Sequence, residues 1–156
     1  MPRLNDKVMS LYKKILIATD GSDYTKKAVE HGLELAKAFG AEVTAMNIMD
    51  LGSVTSSSQG YGLPDINAYM QKSSDEALQY VLDKGKEMNV EVKAVSKMGS
   101  PANDIVEASK NYDLIVMGTI GRTGVSKLLL GSVAEKVVRF AECPVLVIRN
   151  HPAKKE

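Results

Sequence analysis

The sequence predicts an α/β protein built on a single doubly wound, five-stranded parallel sheet with helices on both faces. Five short, mainly apolar segments alternate along the chain with four segments whose apolar residues recur at helical spacing. A helix between two strands makes a right-handed crossover, which leaves the strands parallel. The chain has 156 residues, of which 44% are hydrophobic, so its length and composition fit one domain around one core.

The first strand is the apolar run from Ile15 to Ala18. It lacks the polar alternation of a half-exposed strand, as expected when helices cover both faces of the sheet. Residues 1–12 before it show no clear period. We therefore expect an N-terminal extension at 1–12 and a domain over 13–150.

The first crossover helix is predicted over 23–39, where small and apolar residues recur at helical spacing. Ser22 is its candidate N-cap, and Gly40 is its C-terminal stop. The second strand is predicted over 43–49. The segment 51–62 is rich in Ser and Gly and has too few apolar residues to pack, so we expect a loop there.

The second helix is predicted to start at Pro64 and to end at Asn89. In the third strand, over 90–97, apolar and polar residues alternate, which predicts one wetter face and a position at an edge of the sheet. Ser100 followed by a proline is typical of an N-cap and the first helical residue. A short third helix is therefore expected over 101–110.

The fourth strand is predicted over 114–117, and the fifth from Val145 to Ile148, just after Pro144. A helix lies between these two strands. Ser132 and Glu135 have the S-x-x-E spacing of a capping box, so Ser132 is predicted to be the N-cap of that helix.

A glycine-rich loop follows the fourth strand. Gly118 and Gly121 are followed, after nine residues, by Gly131 and Ser132 at a helix start. Backbone N–H groups at such a loop and helix terminus favour a bound anion such as phosphate. Neither common phosphate fingerprint fits, because Gly124 is not followed by Lys and then Ser or Thr, and the loop glycines are not separated by a single residue. The loop predicts a phosphate site of another class.

The loop, the strand LIVMG before it, the opening KILIATDGS and the closing PVLVIR resemble the ATP-binding branch of the universal stress protein family. The motif of that branch is G-x2-G-x9-G-(S/T). The residues that match it are Gly118, Gly121, Gly131 and Ser132. The resemblance extends from Lys13 to Arg149 and implies a Rossmann-like sheet of strand order 3-2-1-4-5. In that order, a ligand crevice opens at the carboxyl ends of strands one and four.

Asp20 ends the first strand and would face the glycine loop across this crevice. An ionised carboxylate offers only hydrogen-bond acceptors and suits ribose hydroxyls. An Asp before a Gly also often serves only to turn the chain. Position alone leaves the two roles even, and the resemblance favours the ribose.

The resemblance implies that Gly118 and Gly121 let the backbone approach the ribose and phosphates. It also implies that Gly131 and the N–H groups of Ser132 and Val133 hold the distal phosphates. Taken singly, each glycine is explained by a turn in the loop, and Ser132 by a plain N-cap. All four at the family spacing favour the nucleotide.

The resemblance further implies an adenine pocket lined by Ala18, Thr19 and Met117, with the backbone of Ile48 bonded to the base edge. Without it, these are ordinary core or strand-end residues. Arg122 in the loop is a candidate for phosphate contact, although loop cations are usually only solvated.

Charge and hydropathy argue against two classes of partner. The chain has 20 basic and 19 acidic residues, a net charge of +1, so no global field draws it to nucleic acid. No apolar run reaches the ~20 residues that span a bilayer, and the first twelve residues carry charge and lack an apolar core of signal-peptide length. We expect no nucleic-acid or membrane partner and a cytoplasmic location.

The predicted function is binding of ATP, alone or with Mg²⁺, in a nucleotide-dependent regulatory or stress-response role. No general base is evident, because His31 and His151 lie far from the predicted phosphates in sequence, so we expect no catalytic residue and at most slow hydrolysis. The alternatives are an interaction module that binds no nucleotide and a slow nucleotide hydrolase. ADP, AMP and cyclic nucleotides are left open as ligands.

The closing strand, Val145 to Ile148, is short and apolar and is predicted at a sheet edge. An uncovered edge of this kind is a template for pairing with another strand. We expect a homodimer joined there, as members of the family often are.

Overall fold

The computed structural model describes residues 11–50, 52, 63–119 and 130–149. It confirms one five-stranded sheet in the order β3-β2-β1-β4-β5, with every neighbouring pair parallel. The elements in chain order are β1 (Lys14–Ala18), α1 (Asp23–Phe39), β2 (Glu42–Asp50), α2 (Leu63–Glu87), β3 (Val92–Gly99), α3 (Pro101–Ala108), β4 (Leu114–Gly118), α4 (Ser132–Phe140) and β5 (Val145–Ile148). A 3-10 turn at Ser109–Asn111 follows α3.

Helices cover both faces of the sheet, so there are two core layers. Ile17 and Val116 point into the layer beneath α1 and α2. Leu16 and Ile115 point into the layer beneath α3 and α4. All four side chains are fully buried, because β1 and β4 are central strands.

Two of the predicted helix signals are confirmed. Gly40 follows α1 with φ +65°, the left-handed conformation that glycine adopts at least cost, and its N–H donates to the Ala36 carbonyl. Ser100 is the N-cap of α3, and Pro101 is its first residue. Both signals are local, which is why the sequence could predict them.

The predicted edge position of the third strand is also confirmed. In β3, Lys93 and Lys97 are exposed, and charged side chains of this kind discourage pairing with a second sheet. The other edge, β5, consists of four half-buried apolar residues. The two edges of the sheet therefore have opposite character.

Within the described ranges, none of the helices combines the length and apolar character needed to cross a membrane. The same residues contain no cluster of three or more His, Cys, Asp or Glu that could hold a metal ion.

Candidate functional site

The candidate site lies at the carboxyl ends of β1 and β4, where the chain leaves the sheet toward opposite faces. The register pairs Ile17 with Val116, so the residues after each strand emerge side by side. From there α1 packs on one face and α4 on the other. In an open parallel sheet, this reversal leaves a crevice between the two connections.

The turn after β1 is closed by its own side chains. Oδ1 of Asp20 accepts the N–H of Ser22 at 2.9 Å, and Oγ1 of Thr19 accepts the N–H of Gly21 at 3.1 Å. The first bond makes Asp20 an Asx turn, which is the chain-turning role that the sequence allowed. The ribose role predicted for Asp20 is compatible with it, because a carboxylate accepts several hydrogen bonds.

Thr25, in the first turn of α1, connects this turn to the helix. Its Oγ1 lies 3.0 Å from Oγ1 of Thr19, 3.4 Å from Oδ1 of Asp20 and 2.9 Å from the Ser22 carbonyl. Thr25 and Thr19 are 5% and 7% exposed, so these bonds are shielded from water. Ser22 occupies the predicted N-cap, but its side chain makes no capping bond within the described residues.

Asn47 on β2 is a site residue that sequence reasoning missed. Its Nδ2 donates to the Thr19 carbonyl at 2.9 Å, and both residues are buried. The available signal was an amide inside a mainly apolar stretch of β2, since a buried amide is unfavourable unless it is hydrogen-bonded. Its partner lies 28 residues away, and the sequence could not identify it.

The end of β2 extends beyond β1. The β1–β2 register ends at Ala18 and Met46, and the last bond runs from the Thr19 N–H to the Met46 carbonyl. Alternate residues of a parallel strand direct their backbone groups to opposite neighbours, so Ile48, like Met46, directs them toward the β1 side. Ala18 is buried in the core layer beneath α3 and α4, and Ile48 packs against that layer.

Met117 is 5% exposed and belongs to the same core layer as Ala18. Its burial agrees with the ordinary core role that the sequence allowed. The adenine contacts predicted for Ala18, Thr19, Ile48 and Met117 stay predictions. The fold does bring these four residues to the carboxyl ends of three adjacent strands.

The two ends of the glycine loop are joined at the sheet. Gly118 is the last residue of β4 and pairs with Ile148, and the Thr119 N–H donates to the Ile148 carbonyl at 3.1 Å. The Gly131 N–H then donates to the Thr119 carbonyl at 2.8 Å. The loop therefore leaves and re-enters at one point. The predicted site residues Gly121 and Arg122 lie outside the described residues.

The predicted capping box at the start of α4 is wrong. Gly131 occupies the N-cap with φ −60° and ψ 155°, Ser132 is the first helical residue, and no described side chain caps the helix. Glu135 instead accepts a hydrogen bond from Arg139, and its own N–H donates to the Gly131 carbonyl at 2.9 Å. The N–H groups of 132–134 therefore precede the intrahelical ladder and have no acceptor within the helix.

The charges at the two helix starts differ. The start of α1 carries Asp20 and Asp23, and the hydrogen bond from Lys26, 2.8 Å away, lowers the pKa of Asp23. The first turn of α4 has no charged side chain before Glu135. An anion in the crevice would meet carboxylates at α1 and bare N–H groups at α4.

These features define an open α/β protein whose central crevice has an uncapped helix terminus on one side and a carboxylate-bearing turn on the other. The sequence profile of the Universal stress protein family matches residues 11–149. The chain belongs to this family. The predicted strand order and Rossmann-like fold are those of the structure.

Relatives and solved structures agree over most of the chain. A universal stress protein of Methanocaldococcus jannaschii is 43% identical over 155 residues, 94% of this chain and 86% of that protein. The structure of hypothetical protein MJ0577 has a TM-score of 0.75 and 27% identity, and the match covers 92% of this chain and 99% of that one.

Two further structures share the fold and contain a ligand. One is a universal stress protein in complex with cAMP, with a TM-score of 0.67 and 22% identity over 90% of this chain and 98% of that one. The other is the universal stress protein from Archaeoglobus fulgidus in complex with dAMP, with a TM-score of 0.65 and 23% identity over 89% of this chain and 99% of that one.

Proposed function

We propose that this protein binds ATP in the crevice between β1 and β4. The observation that carries the proposal is the start of α4. Its first N–H groups have no side-chain cap, and they lie next to the bond between Gly131 and Thr119 that joins the two ends of the glycine loop. Ser132 and Val133 bind the distal phosphates there, aided by the positive end of the helix dipole. Asp20 accepts hydrogen bonds from the ribose, and the Ile48 backbone binds the base edge.

The comparisons support an adenine nucleotide as the class of ligand. Two structures of the same fold hold cAMP and dAMP. ATP differs from both in its distal phosphates, and the proposal gives these to the G-x2-G-x9-G-S motif. AMP, ADP and cyclic nucleotides are the competing ligands within that class.

We further propose that the bound nucleotide regulates the protein rather than serving as a rapidly consumed substrate. The described part of the crevice contains hydroxyl groups and the Asp20 carboxylate, which this proposal assigns to the ribose. Hydrolysis by such a site would be slow, because no described residue is placed as a general base for water. A cytoplasmic location is part of the same proposal and rests on the sequence.

Thermal unfolding with Mg-ATP tests the proposal. At about 100 times its dissociation constant, a ligand stabilises the native state by about 2.7 kcal/mol, an easily measured rise in the unfolding midpoint. GTP is the control for base selectivity, and AMP is the control for the distal phosphates. If no nucleotide raises the midpoint and none is released on denaturation, the interaction-module alternative is favoured.

Gly131→Val identifies the site. The backbone at Gly131, φ −60° and ψ 155°, is one that valine adopts without strain, so loss of binding would come from the added side chain. We expect the ATP-induced shift to disappear, while the ligand-free protein loses no more than the ~1 kcal/mol by which glycine is favoured over valine at an N-cap. An unchanged ATP shift would exclude the start of α4 as the phosphate site.

We also propose a homodimer joined through β5. Pro144 and Ile148 bond to β4, so by alternation Val145 and Val147 direct their N–H and C=O groups outward. Phe140 on the adjacent α4 is 57% exposed and extends the apolar edge. Pairing of two such edges would satisfy these groups and bury the apolar side chains.

Val147→Pro tests the dimer without removing a β4–β5 bond, because the lost N–H points outward. We expect light scattering to give about twice the 16.9 kDa chain mass for the wild type and the single-chain mass for the variant. Ala94→Pro is the matched control, since the β2–β3 register directs its N–H away from the sheet at the opposite edge. A monomeric wild type would refute the proposal.

A further inference from the structure

We propose that Thr25 and Asn47 are positioning residues that hold the turn of residues 19–22 so that the Asp20 carboxylate faces the ribose. The inference rests on the proposed nucleotide function and adds two residues to it. Neither side chain needs to touch the ligand. Both act on the turn from elements on either side of it, Thr25 from α1 and Asn47 from β2.

Asn47 fixes the start of the turn. The last bond of the β1–β2 ladder runs from the Thr19 N–H to the Met46 carbonyl. If the ladder continued, the next bond would run from the Ile48 N–H to the Thr19 carbonyl. The Asn47 side chain binds that carbonyl at 2.9 Å. The chain can therefore leave the sheet at Thr19 with its carbonyl satisfied.

Thr25 fixes the other end of the turn. Its hydroxyl has one proton, and the 2.9 Å distance to the Ser22 carbonyl makes that oxygen its acceptor. The Thr19 hydroxyl then donates to Thr25 Oγ1 at 3.0 Å, which leaves its own oxygen to accept the Gly21 N–H. This chain of bonds orders the backbone on both sides of Asp20.

Burial protects the hydrogen bonds of this turn from competition with water. Thr19, Thr25 and Asn47 are each at most 7% exposed, so water cannot readily replace a lost partner. The bond from the Ser22 N–H to Asp20 Oδ1, 2.9 Å long, ties one oxygen of the carboxylate to the backbone of the turn. If the turn backbone shifts, this bond and the direction of the carboxylate change with it.

The experiment compares affinity for ATP with affinity for 2′,3′-dideoxy-ATP, which lacks both ribose hydroxyls. We expect the wild type to prefer ATP by about tenfold or more, as for hydrogen bonds to a charged group. In Thr25→Val and Asn47→Leu the preference should fall to about twofold or less, because ATP affinity drops and dideoxy-ATP affinity does not. Titration calorimetry measures both ligands.

Two variants serve as controls. Thr25→Ser keeps the hydroxyl and should keep the wild-type preference within about twofold. Thr44→Val makes the same hydroxyl-to-methyl change at a residue 9% exposed on β2, away from the turn, and should also keep it. A purely structural role for Thr25 and Asn47 would weaken both ligands equally, and that result would overturn the inference.

Amide hydrogen exchange provides a readout that needs no ligand. Gly21 and Ser22 N–H should exchange at least about tenfold faster in Thr25→Val and Asn47→Leu than in the wild type, with core amides unchanged. Equal exchange in all proteins would overturn the inference. If the wild type binds neither nucleotide, the proposed function fails and the ribose role fails with it, whereas exchange still reports whether the two residues hold the turn.

Discussion

The two helices that start at the crevice, α1 and α4, begin in opposite ways. At α1 the turn is saturated by side chains: Asp20 accepts the Ser22 N–H, Thr19 accepts the Gly21 N–H, and Thr25 bonds to the Ser22 carbonyl. At α4 the N-cap is Gly131, and no described side chain supplies the missing acceptor. Neither N-cap residue caps its helix with a side chain, so the two starts differ in the turn before the helix, which at α1 is held by a carboxylate and hydroxyl groups and at α4 by backbone bonds alone among the described residues.

This difference assigns the parts of a nucleotide. A phosphate is attracted by free N–H groups and the positive helix end and repelled by carboxylates, so α4 suits it and the start of α1 does not. Ribose hydroxyls need acceptors, which Asp20 provides. The crevice thus has a polarity that a glycine motif alone would not reveal.

The largest expected effect comes from placing a carboxylate at the start of α4, where α1 has Asp20 and Asp23 near its own start. Gly131→Asp places a capping carboxylate at the N-cap, which satisfies an N–H of the first turn and complements the helix dipole. We expect the unfolding midpoint to stay the same or rise slightly while ATP affinity falls at least ~30-fold by direct competition and charge repulsion. Calorimetric titration measures the loss of ATP affinity, and thermal unfolding measures the unchanged or higher midpoint.

The matched control is Gly131→Asn, which caps as well but carries no charge. It should lose less ATP affinity than Gly131→Asp, and the difference measures the repulsion of phosphate. If the Asp variant binds ATP like the wild type, the start of α4 is not the phosphate site and the comparison fails.

A smaller effect is expected at a third helix start, α3, which is closed by Asp104. Its Oδ2 accepts the Ser100 N–H and its Oδ1 the Lys97 ammonium, both at 2.9 Å. The Lys97 hydrogen bond lowers the pKa of Asp104 below 3.8. Asp104→Asn keeps an acceptor but loses the charge, so we expect a loss of stability of less than about 1 kcal/mol at pH 7.

The pH dependence follows from the lowered pKa. The Asp104 contribution is fully present above the unfolded-state value of 3.8 and is lost as the pH falls through the lower folded-state value. Urea unfolding at pH 7 and near pH 2.5 should therefore show the gap between wild type and Asp104→Asn closing at low pH. A gap that persists there would show that the charge is not its source.

The smallest effect is expected at α1 itself. Ser22 occupies the N-cap, but its Oγ is buried and has no hydrogen-bond partner among the described residues. Ser22→Ala should therefore cost much less than the ~1 kcal/mol of an ordinary N-cap deletion, and the midpoint should change little or rise. A loss of a full cap, measured by urea unfolding, would mean that Ser22 does cap α1 in solution.

Sequence reasoning succeeded where the determinant was local. Gly40 and Ser100 with Pro101 act within one turn of the chain, and each was found at its predicted place. It failed at α4, where S-x-x-E spacing suggested a cap at Ser132. There, the Gly131 N–H bonds to the Thr119 carbonyl across the base of the loop and holds Gly131 in the N-cap position.

By itself, the sequence determined the order of strands and helices along the chain, the buried runs of β1 and β4, and the spacing of the glycines. Hydrophobic periodicity and turn chemistry act over a few residues, so they can be recognised in the sequence. Only the tertiary structure decided that Asn47 holds Thr19, 28 residues away, and that Gly131, bonded to Thr119 across the base of the loop, is the N-cap of α4. These features depend on which groups the sheet brings together. Pairing between distant residues is a property of the packed fold and leaves no periodic trace in the chain.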